Sequence, residues 1–378
     1  MKFKIAFFTS TRGDMGILHP LIKKISVSKD FDYLLFVYGT HTENKYGNTI
    51  NEIKKNNFKI SKIFKTVFKK DNYKDQCLAL GNLQSEVGKI FNDFKFDAIC
   101  ILGDRIERIP IINAAIIFRK LVFHLHGGEI TEGAIDDQIR HMITKASHLH
   151  FTICEDYKKN ILKLSEEKFR IHNVGSLAVE NILSQEKNVK KAKKKYVILT
   201  YHPETIKKKF EWRKNFLIII KCLKNFNVII TAPGYEKGSY SFISFIKKSI
   251  KHKKNFSFEA SLGFKKYFKI LKSTFFVIGN SSSGIIEVPY FKIPTINIGE
   301  RQKGRYMHQS VINVPCSQSA ISNAINKTKN VKFLNKIKKS NLYFGDGKTS
   351  NKILNILRKH LKKKNNQILL KKFNEFNK

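Results

Sequence analysis

Two series of short apolar strands alternating with helix-period segments predict an α/β protein with two doubly wound parallel sheets facing a cleft. Three observations carry this expectation. At 378 residues the chain exceeds one ordinary domain. The alternation starts at Phe3, stops in a polar, lysine-dense stretch at 185–195, and restarts at Tyr196. Glycine-bearing polar runs stand directly behind several of the strands, where open α/β sheets place their ligands.

Taken in order, residues 3–9 read as a strand, 17–27 as a helix and 33–37 as a second strand. Residues 78–94 carry Leu80, Leu83, Val87, Ile90 and Phe91 at helical spacing. A short apolar strand at 98–102 follows, then a largely apolar helix at 109–118, expected to be buried on several sides. The strand at 121–125, a helix at 138–146 and strands at 148–153 and 171–174 complete the first series. The second series has strands at 196–200, 228–231, 275–278, 295–298 and 311–314. Its helices lie around 210–223, 241–250 and 264–271, with another starting at 284–290. Short strands separated by helices imply parallel sheets with right-handed crossovers. The expected organisation is an N-terminal domain at 1–184, a linker at 185–195, a C-terminal domain at 196–361, and a basic tail at 362–378 forming a surface helix or fraying.

Hydrophobic content of 42% is that of a soluble globular protein, whereas the net charge of +41 is far from ordinary. A nucleic-acid or anionic-membrane footprint is one reading. The lysines are spread over the chain rather than gathered with aromatics, which favours a lysine-heavy composition and no nucleic-acid partner. Such an excess still favours an anionic substrate. Cys77, Cys100, Cys154, Cys222 and Cys316 are odd in number, far apart and without a C-x-x-C pair, which argues against a disulfide framework and fits a reducing cytoplasm. The apolar run at residues 5–8 is too short for a signal peptide, and no segment reaches the roughly 18 apolar residues of a membrane span.

Ser10 to Gly16 follows the first strand and opens a helix, offering backbone N–H groups and Arg12 to a phosphate; the same residues equally make an ordinary capped turn. The run is not G-x-G-x-x-G, so no dinucleotide is indicated. Gly279 to Gly284 is a stronger anion signal, with Asn280, Ser281, Ser282 and Ser283 between a strand and a helix. Glu287, one turn on, suits ribose hydroxyls or simply complements the helix dipole. His202 ends the strand that opens the second series. Arg301 and Arg305 follow a later strand, as a clamp on base or phosphates or as a solvated loop. Asp104, Glu129 and Asp136 are the acidic candidates. Clustered in a cleft they would raise one another's pKa values; otherwise they cap a helix and pair with Arg140. His124, His126 and His141 are the candidates for a metal, which no motif supports.

These stretches resemble the UDP-N-acetylglucosamine 2-epimerase family, and most closely its hydrolysing branch in sialic or legionaminic acid biosynthesis. The resemblance rests on the Arg12 turn, Gly103-Asp104-Arg105, His126 to Glu129, Ala134 to His141, His202-Pro203, Gly279 to Glu287 and Gly299-Glu300-Arg301-Gln302, spanning roughly residues 3 to 315. It implies a GT-B-like pair of Rossmann-type domains with a UDP-sugar between them, no cofactor, and a homodimer or higher homo-oligomer. It places the diphosphate on Ser281 and Ser282, the ribose on Glu287, uracil near Tyr267, and nucleotide contacts on Arg12 and Arg301. It also places Arg105 and His126 in the substrate site. Asp104, Glu129 and Asp136 become the acids that move protons, completed by Arg140 and His202. One departure stands out: several relatives have an acid where this chain has His126. The implied reaction converts UDP-N-acetylglucosamine to N-acetylmannosamine and UDP through a 2-acetamidoglucal. The rival readings are the same chemistry on a UDP-2,4-diacetamido-trideoxy sugar, and a GT-B glycosyltransferase.

Overall fold

The computed structural model describes residues 2–43, 47–66, 72–132, 134–186, 195–202, 212–233, 239–362 and 368–372. The first sheet holds β1 (Phe3–Thr9), β2 (Phe31–Val37), β3 (Lys62–Ile63), β4 (Ala98–Leu102), β5 (Leu121–Leu125), β6 (Leu149–Thr152) and β7 (Ile171–Asn173), in the order β3-β2-β1-β4-β5-β6-β7. The second holds β8 (Tyr196–Thr200), β9 (Val228–Thr231), β10 (Phe256–Glu259), β11 (Thr274–Gly279), β12 (Thr295–Ile298) and β13 (Val311–Val314), in the order β10-β9-β8-β11-β12-β13. Every strand pairing in both sheets is parallel. This is the pair of doubly wound sheets that the sequence predicts.

The strands read as apolar runs because helices cover both faces. All five residues of β4 are buried. Successive side chains point to opposite faces. Phe7, Cys100 and Phe123 therefore join one core with Leu18 and Leu21 of the helix Arg12–Ser26. Phe8, Ile99, Ile101 and Val122 join the other with Leu83, Val87 and Ile111. Strand order reverses between β1 and β4, and again between β8 and β11. In such sheets the loops that part company at the reversal leave a crevice at the strands' C-terminal ends.

A buried ion pair staples the first reversal. Asp14 sits in the first turn of the helix after β1, and its Oδ2 accepts from Arg108 Nη2 at 2.6 Å. Arg108 also donates to Tyr38 Oη at 2.8 Å, beyond β2, and to the Leu102 carbonyl at the end of β4. Burial works to raise the Asp14 pKa, but Arg108, Arg105 and the Ser10 amide outweigh it and hold the carboxyl well below the usual range.

Several expectations are corrected. The helix expected at 138–146 begins at Asp136, which puts both aspartates in its first turn. The apolar helix is Ile109–Ile117, and it packs one face only: Ile111, Ile112, Ala114 and Ala115 are buried, while Ile116 and Ile117 are 58% and 71% exposed. The helix Ile50–Lys55 and the edge strands β3 and β10 escaped the pattern. The final helix, Thr349–Lys362, belongs by sequence to the second series, yet Ile353, Leu354 and Leu357 enter a core of the first sheet. Of the linker at 185–195, residues 185 and 186 end the helix Leu177–Glu186, and residues 187–194 lie outside the described residues. The start of the helix expected at 210 also lies outside them; its described part is Trp212–Cys222. The tail at 362–378 is not simply a surface segment: Ile368 is buried, and Arg170 donates to the Ile368 and Leu370 carbonyls at 2.8 and 2.7 Å. Residues 363–367 and 373–378 lie outside the described residues. Among the described residues no helix is long and apolar enough to cross a membrane.

The Asp14–Arg108 pair yields a stability prediction. Asp14→Ala leaves the Arg108 guanidinium buried without its carboxylate and is expected to cost about 3–5 kcal/mol. Replacing both partners, as Asp14→Leu with Arg108→Met, should recover most of that loss; denaturant titration of the three variants checks it. Because the folded-state pKa of Asp14 is depressed, its contribution is full above the ordinary Asp range of about 3.9 and is lost as pH falls below it.

Candidate active site

A cavity of about 430 Å³ lies where the loops after β1, β4 and β5 meet those after β8, β11 and β12. Both strand-order reversals open into it. Asp104, Glu129, Asp136, Arg140, His202, Arg12, Arg105, His126, Tyr267, Ser281, Ser282, Glu287 and Arg301 all line it. Every side chain singled out from sequence as catalytic or substrate-binding thus reaches one cavity. Pro203 and Glu204, beside His202, lie outside the described residues.

The first-sheet wall is organised by Arg140, whose side chain is fully buried. Its Nη1 donates to the Glu129 carbonyl at 2.7 Å and to Asp137 Oδ1 at 2.8 Å. Its Nη2 donates to Asp104 Oδ2 and to Thr131 Oγ1. One planar cation therefore joins the loop after β4, the loop after β5 and the first turn of the helix Asp136–Ala146. Asp137 also accepts from the Thr131 amide at 2.7 Å, closing the β5 loop onto that turn.

The β5 loop is conformationally demanding. His126 has φ of 64°, a left-handed backbone that a non-glycine residue seldom adopts. Gly128 has φ of 79°, and a Cβ there would come within 2.1 Å of the Tyr157 carbonyl. The loop turns back so that His126 Nδ1 meets Glu129 Oε1 at 3.1 Å, with His126 Nε2 buried and unpartnered.

Across the cavity, Arg305 reaches over from the loop after β12, and its Nη2 pairs with Glu129 Oε2 at 2.6 Å. Burial works to raise the Glu129 pKa. Arg305, then His126 and Arg140, reverse that and bring it down to about 2. The expectation that neighbouring carboxylates raise one another is therefore corrected at Glu129: cations, not acids, are its nearest neighbours. His124 is also shifted: burial, opposed by the bond to Gly103 and helped by His150 and Arg140, lowers it to about 3, so the ring is neutral. The histidines weighed as metal ligands have separate partners. His124 Nε2 meets the Gly103 carbonyl at 2.9 Å, His126 meets Glu129, and His141 meets Asp137 at 3.4 Å.

The turn after β1 offers fewer free amides than its sequence suggests. The Ser10 and Thr11 N–H groups donate to Asp14 Oδ2 at 2.9 and 3.0 Å as part of a capping box. What faces the cavity is the Arg12 side chain, with Nη1 buried and unpartnered. Its pKa is lowered by burial, against Glu52, Tyr267 and Glu287.

The second-sheet wall is largely hydroxylic. Gly279 has φ of 134°, and a Cβ there would come within 1.9 Å of the Thr200 carbonyl, so only glycine lets β11 close on β8 at this point. Asn280 then bridges the two strand ends: its Oδ1 accepts from the His202 amide at 2.7 Å, and its Nδ2 donates to the His202 carbonyl at 2.9 Å. Arg301 Nη1 and Gln302 Nε2 both donate to the Asn280 carbonyl. Tyr267 and Ser283 share a hydroxyl–hydroxyl bond of 2.7 Å, and Ser283 Oγ donates to Glu287. Burial raises the Glu287 pKa, opposed by Ser283, Arg12 and His126. An acid so placed gains from a partner rich in hydroxyl donors.

Sequence reasoning missed Asn280 as a strut, Arg108 as a staple and Arg305 as the partner of Glu129. The Asn280 signal was the glycine-flanked polar run itself. From sequence Arg305 reads as clamp or solvated loop, and nothing in its neighbours distinguishes the two.

A family model described as UDP-N-acetylglucosamine 2-epimerase matches residues 23–358. The polysialic acid biosynthesis protein P7 of Escherichia coli is 34% identical, over 96% of this chain and 95% of its own. The GDP/UDP-N,N'-diacetylbacillosamine 2-epimerase (hydrolyzing) of Campylobacter jejuni is 36% identical, over 82% of this chain and 84% of its own. In fold the chain is similar to the crystal structure of UDP-GlcNAc 2-epimerase from Neisseria meningitidis bound to UDP-GlcNAc, with a TM-score of 0.78 over 95% of this chain and 100% of that one at 16% identity. The chain belongs to the UDP-N-acetylglucosamine 2-epimerase family, as an enzyme of its hydrolysing branch.

Proposed function

We propose that this enzyme converts UDP-N-acetylglucosamine to N-acetylmannosamine and UDP. The observation that carries the reading is a single cavity with an arginine-held acidic wall on the first sheet and a hydroxyl-rich wall on the second. The acidic wall takes the sugar. Ser281 and Ser282 take the diphosphate, Glu287 the ribose hydroxyls, Tyr267 the uracil side, and Arg301 and Arg12 the nucleotide and its phosphates. Arg105 and His126 border the sugar, and His202 closes the site from the second sheet. The two sheets act as two domains, the first comprising 1–184 with the final helix Thr349–Lys362 and the second starting at 196, closing on the UDP-sugar.

In the first half-reaction a carboxylate takes the proton from sugar C2. The electron pair forms the C1–C2 double bond, and the C1–O bond breaks with its electrons going to UDP. Arg12, with an unpartnered buried Nη1, suits the charge that develops on the diphosphate. In the second half, water adds to C1 as hydroxide, its released proton passing to a carboxylate of the acidic wall, and an acid returns a proton to C2 on the opposite face. Glu129, held ionised, fits accepting a proton and not donating one. Asp104 and Asp136 are then the candidate donors, Asp104 being fixed by Arg140. None of these steps calls for a metal or redox cofactor. A second reading keeps the chemistry and changes the sugar to a 2,4-diacetamido-trideoxy one, favoured by the name of the 36%-identical relative. The exposed Ile116, Ile117 and Met142 support a homo-oligomer.

In deuterium oxide, purified protein with UDP-N-acetylglucosamine alone should yield UDP and free N-acetylmannosamine carrying deuterium at C2, followed by proton NMR. UDP-N-acetylmannosamine as the product, or turnover only with an added acceptor, would overturn the reading; turnover of the diacetamido sugar nucleotide alone would select the second. Asp104→Asn and Glu129→Gln should each lower kcat by about 10²–10⁴-fold, with the UDP Kd from calorimetry nearly unchanged. Ser282→Ala and Glu287→Ala should do the reverse, each weakening UDP binding by about 1 kcal/mol; wild-type UDP affinity in both would remove these residues from the nucleotide site.

A further inference from the structure

The C-terminal segment returns to the first sheet and ends at the far side of the helix that builds the acidic wall. Lys371 Nζ donates to the carbonyls of Lys145 and Ser147, each at 2.7 Å, and to that of Thr144 at 3.4 Å. It also pairs with the buried Glu166 at 2.7 Å. These carbonyls belong to the last turn and C-cap of the helix Asp136–Ala146, and the last four carbonyls of a helix have no partner within it. An ammonium with its donors spread over them satisfies those acceptors and complements the negative end of the helix dipole. Arg170 holds the same segment in place through the Ile368 and Leu370 carbonyls.

The opposite end of this helix carries Asp136, Asp137 and, one turn in, Arg140. A second route leads to Asp104. The Thr144 carbonyl accepts from Lys371, while its hydroxyl pairs with His124 Nδ1 at 3.3 Å. His124 Nε2 holds the carbonyl of Gly103, the residue before Asp104. The capped helix end is thus connected to two of the groups that Arg140 joins, the first turn of its own helix and Asp104.

We propose that Lys371 is a positioning residue: by capping the C-terminal end of the helix Asp136–Ala146, the docked C-terminal segment holds Asp136, Arg140 and Asp104 in register for the reaction. This rests on the assignment of these residues to proton transfer. Ser281, Ser282, Glu287, Tyr267 and Arg301 stand on the other sheet, whereas the segment binds the helix Asp136–Ala146, Glu166 and Arg170, so capping separates turnover from nucleotide binding.

The test compares the full chain with Lys371→Met, Lys371→Arg and a chain ending at residue 367. Lys371→Met and the shortened chain should lose on the order of tenfold to a hundredfold in kcat, with UDP Kd by calorimetry within about twofold. Lys371→Arg, which keeps the charge and donors, should retain most of the activity. A synthetic peptide of residues 363–378 added to the shortened chain should restore kcat. Amide hydrogen exchange of residues 136–146 should speed up in Lys371→Met and return toward the parent rate in Lys371→Arg. Wild-type kcat in a folded Lys371→Met protein, or equal loss of kcat and UDP affinity, overturns the proposal. If the shortened chain does not fold, the two point variants decide. A parent enzyme that turns over no UDP-sugar is a failure of the functional reading instead, and the exchange comparison still shows whether Lys371 orders the helix.

Discussion

The geometry of the acidic wall depends on the buried Arg140 guanidinium. Asp104, Glu129 and Asp137 come from three segments, and Arg140 is where they converge. A carboxylate out of water is costly unless a cation and hydrogen bonds accompany it, and a guanidinium is equally costly without acceptors. Each therefore fixes the other. Arg140 Nη1 and Nη2 both bond more than one oxygen, so a shift of any one segment strands a buried charge rather than weakening a contact by degrees. The arrangement is stiff because its alternatives are expensive. Proton transfer to and from carbon needs that stiffness, since reaction efficiency falls steeply when reacting groups are misplaced.

Buried arginines repeat this device at three levels of the first sheet. Arg108 joins the ends of β1, β2 and β4 through Asp14, Tyr38 and Leu102, and so shapes the crevice itself. Arg140 arranges the groups in that crevice. Arg170 ties the C-terminal segment back to the sheet, with Glu167 as its counter-ion at 2.6 Å. All three are among the largest fully buried side chains. A lysine, with a point charge and three donors, could not bridge separate segments in one plane as each guanidinium does. In a chain of net charge +41 the abundant lysines stay mostly at the surface, and the scarcer arginines do the interior work.

The strands are legible because a strand buried on both faces is largely apolar: β4 is so throughout, β5 but for His124, and β8 but for its terminal Thr200. The site was legible for a related reason. Glycines and acids have no cause to follow such a strand unless the chain turns tightly and presents something there, as at Gly128 and Gly279. Partnerships were not legible. The sequence shows Glu129 near other acids, whereas folding brings Arg305 from 176 positions away and reverses the direction of its pKa shift. Arg12 reads as part of an amide cradle, but Asp14 takes the Ser10 and Thr11 amides. Edge elements such as β3 are too short to show a period. The C-terminal segment looked like tail because Lys371 and its neighbours are polar, and nothing local announces that a lysine will find three carbonyls and a carboxylate.

The cross-cavity pair explains why one sheet alone would not make this site. Glu129 and Arg305 belong to different sheets, and the same two loops meet again where the Glu132 amide donates to the Lys303 carbonyl at 3.2 Å. Tyr157 Oη accepts from the Tyr306 amide beside them. Arg305 keeps Nε and Nη1 buried and unpartnered, so its single carboxylate does not satisfy it. An anionic ligand entering the cavity meets a guanidinium with unused donors, already held by the carboxylate on the opposite wall. The same guanidinium that joins the sheets is also the strongest influence holding the Glu129 carboxyl low.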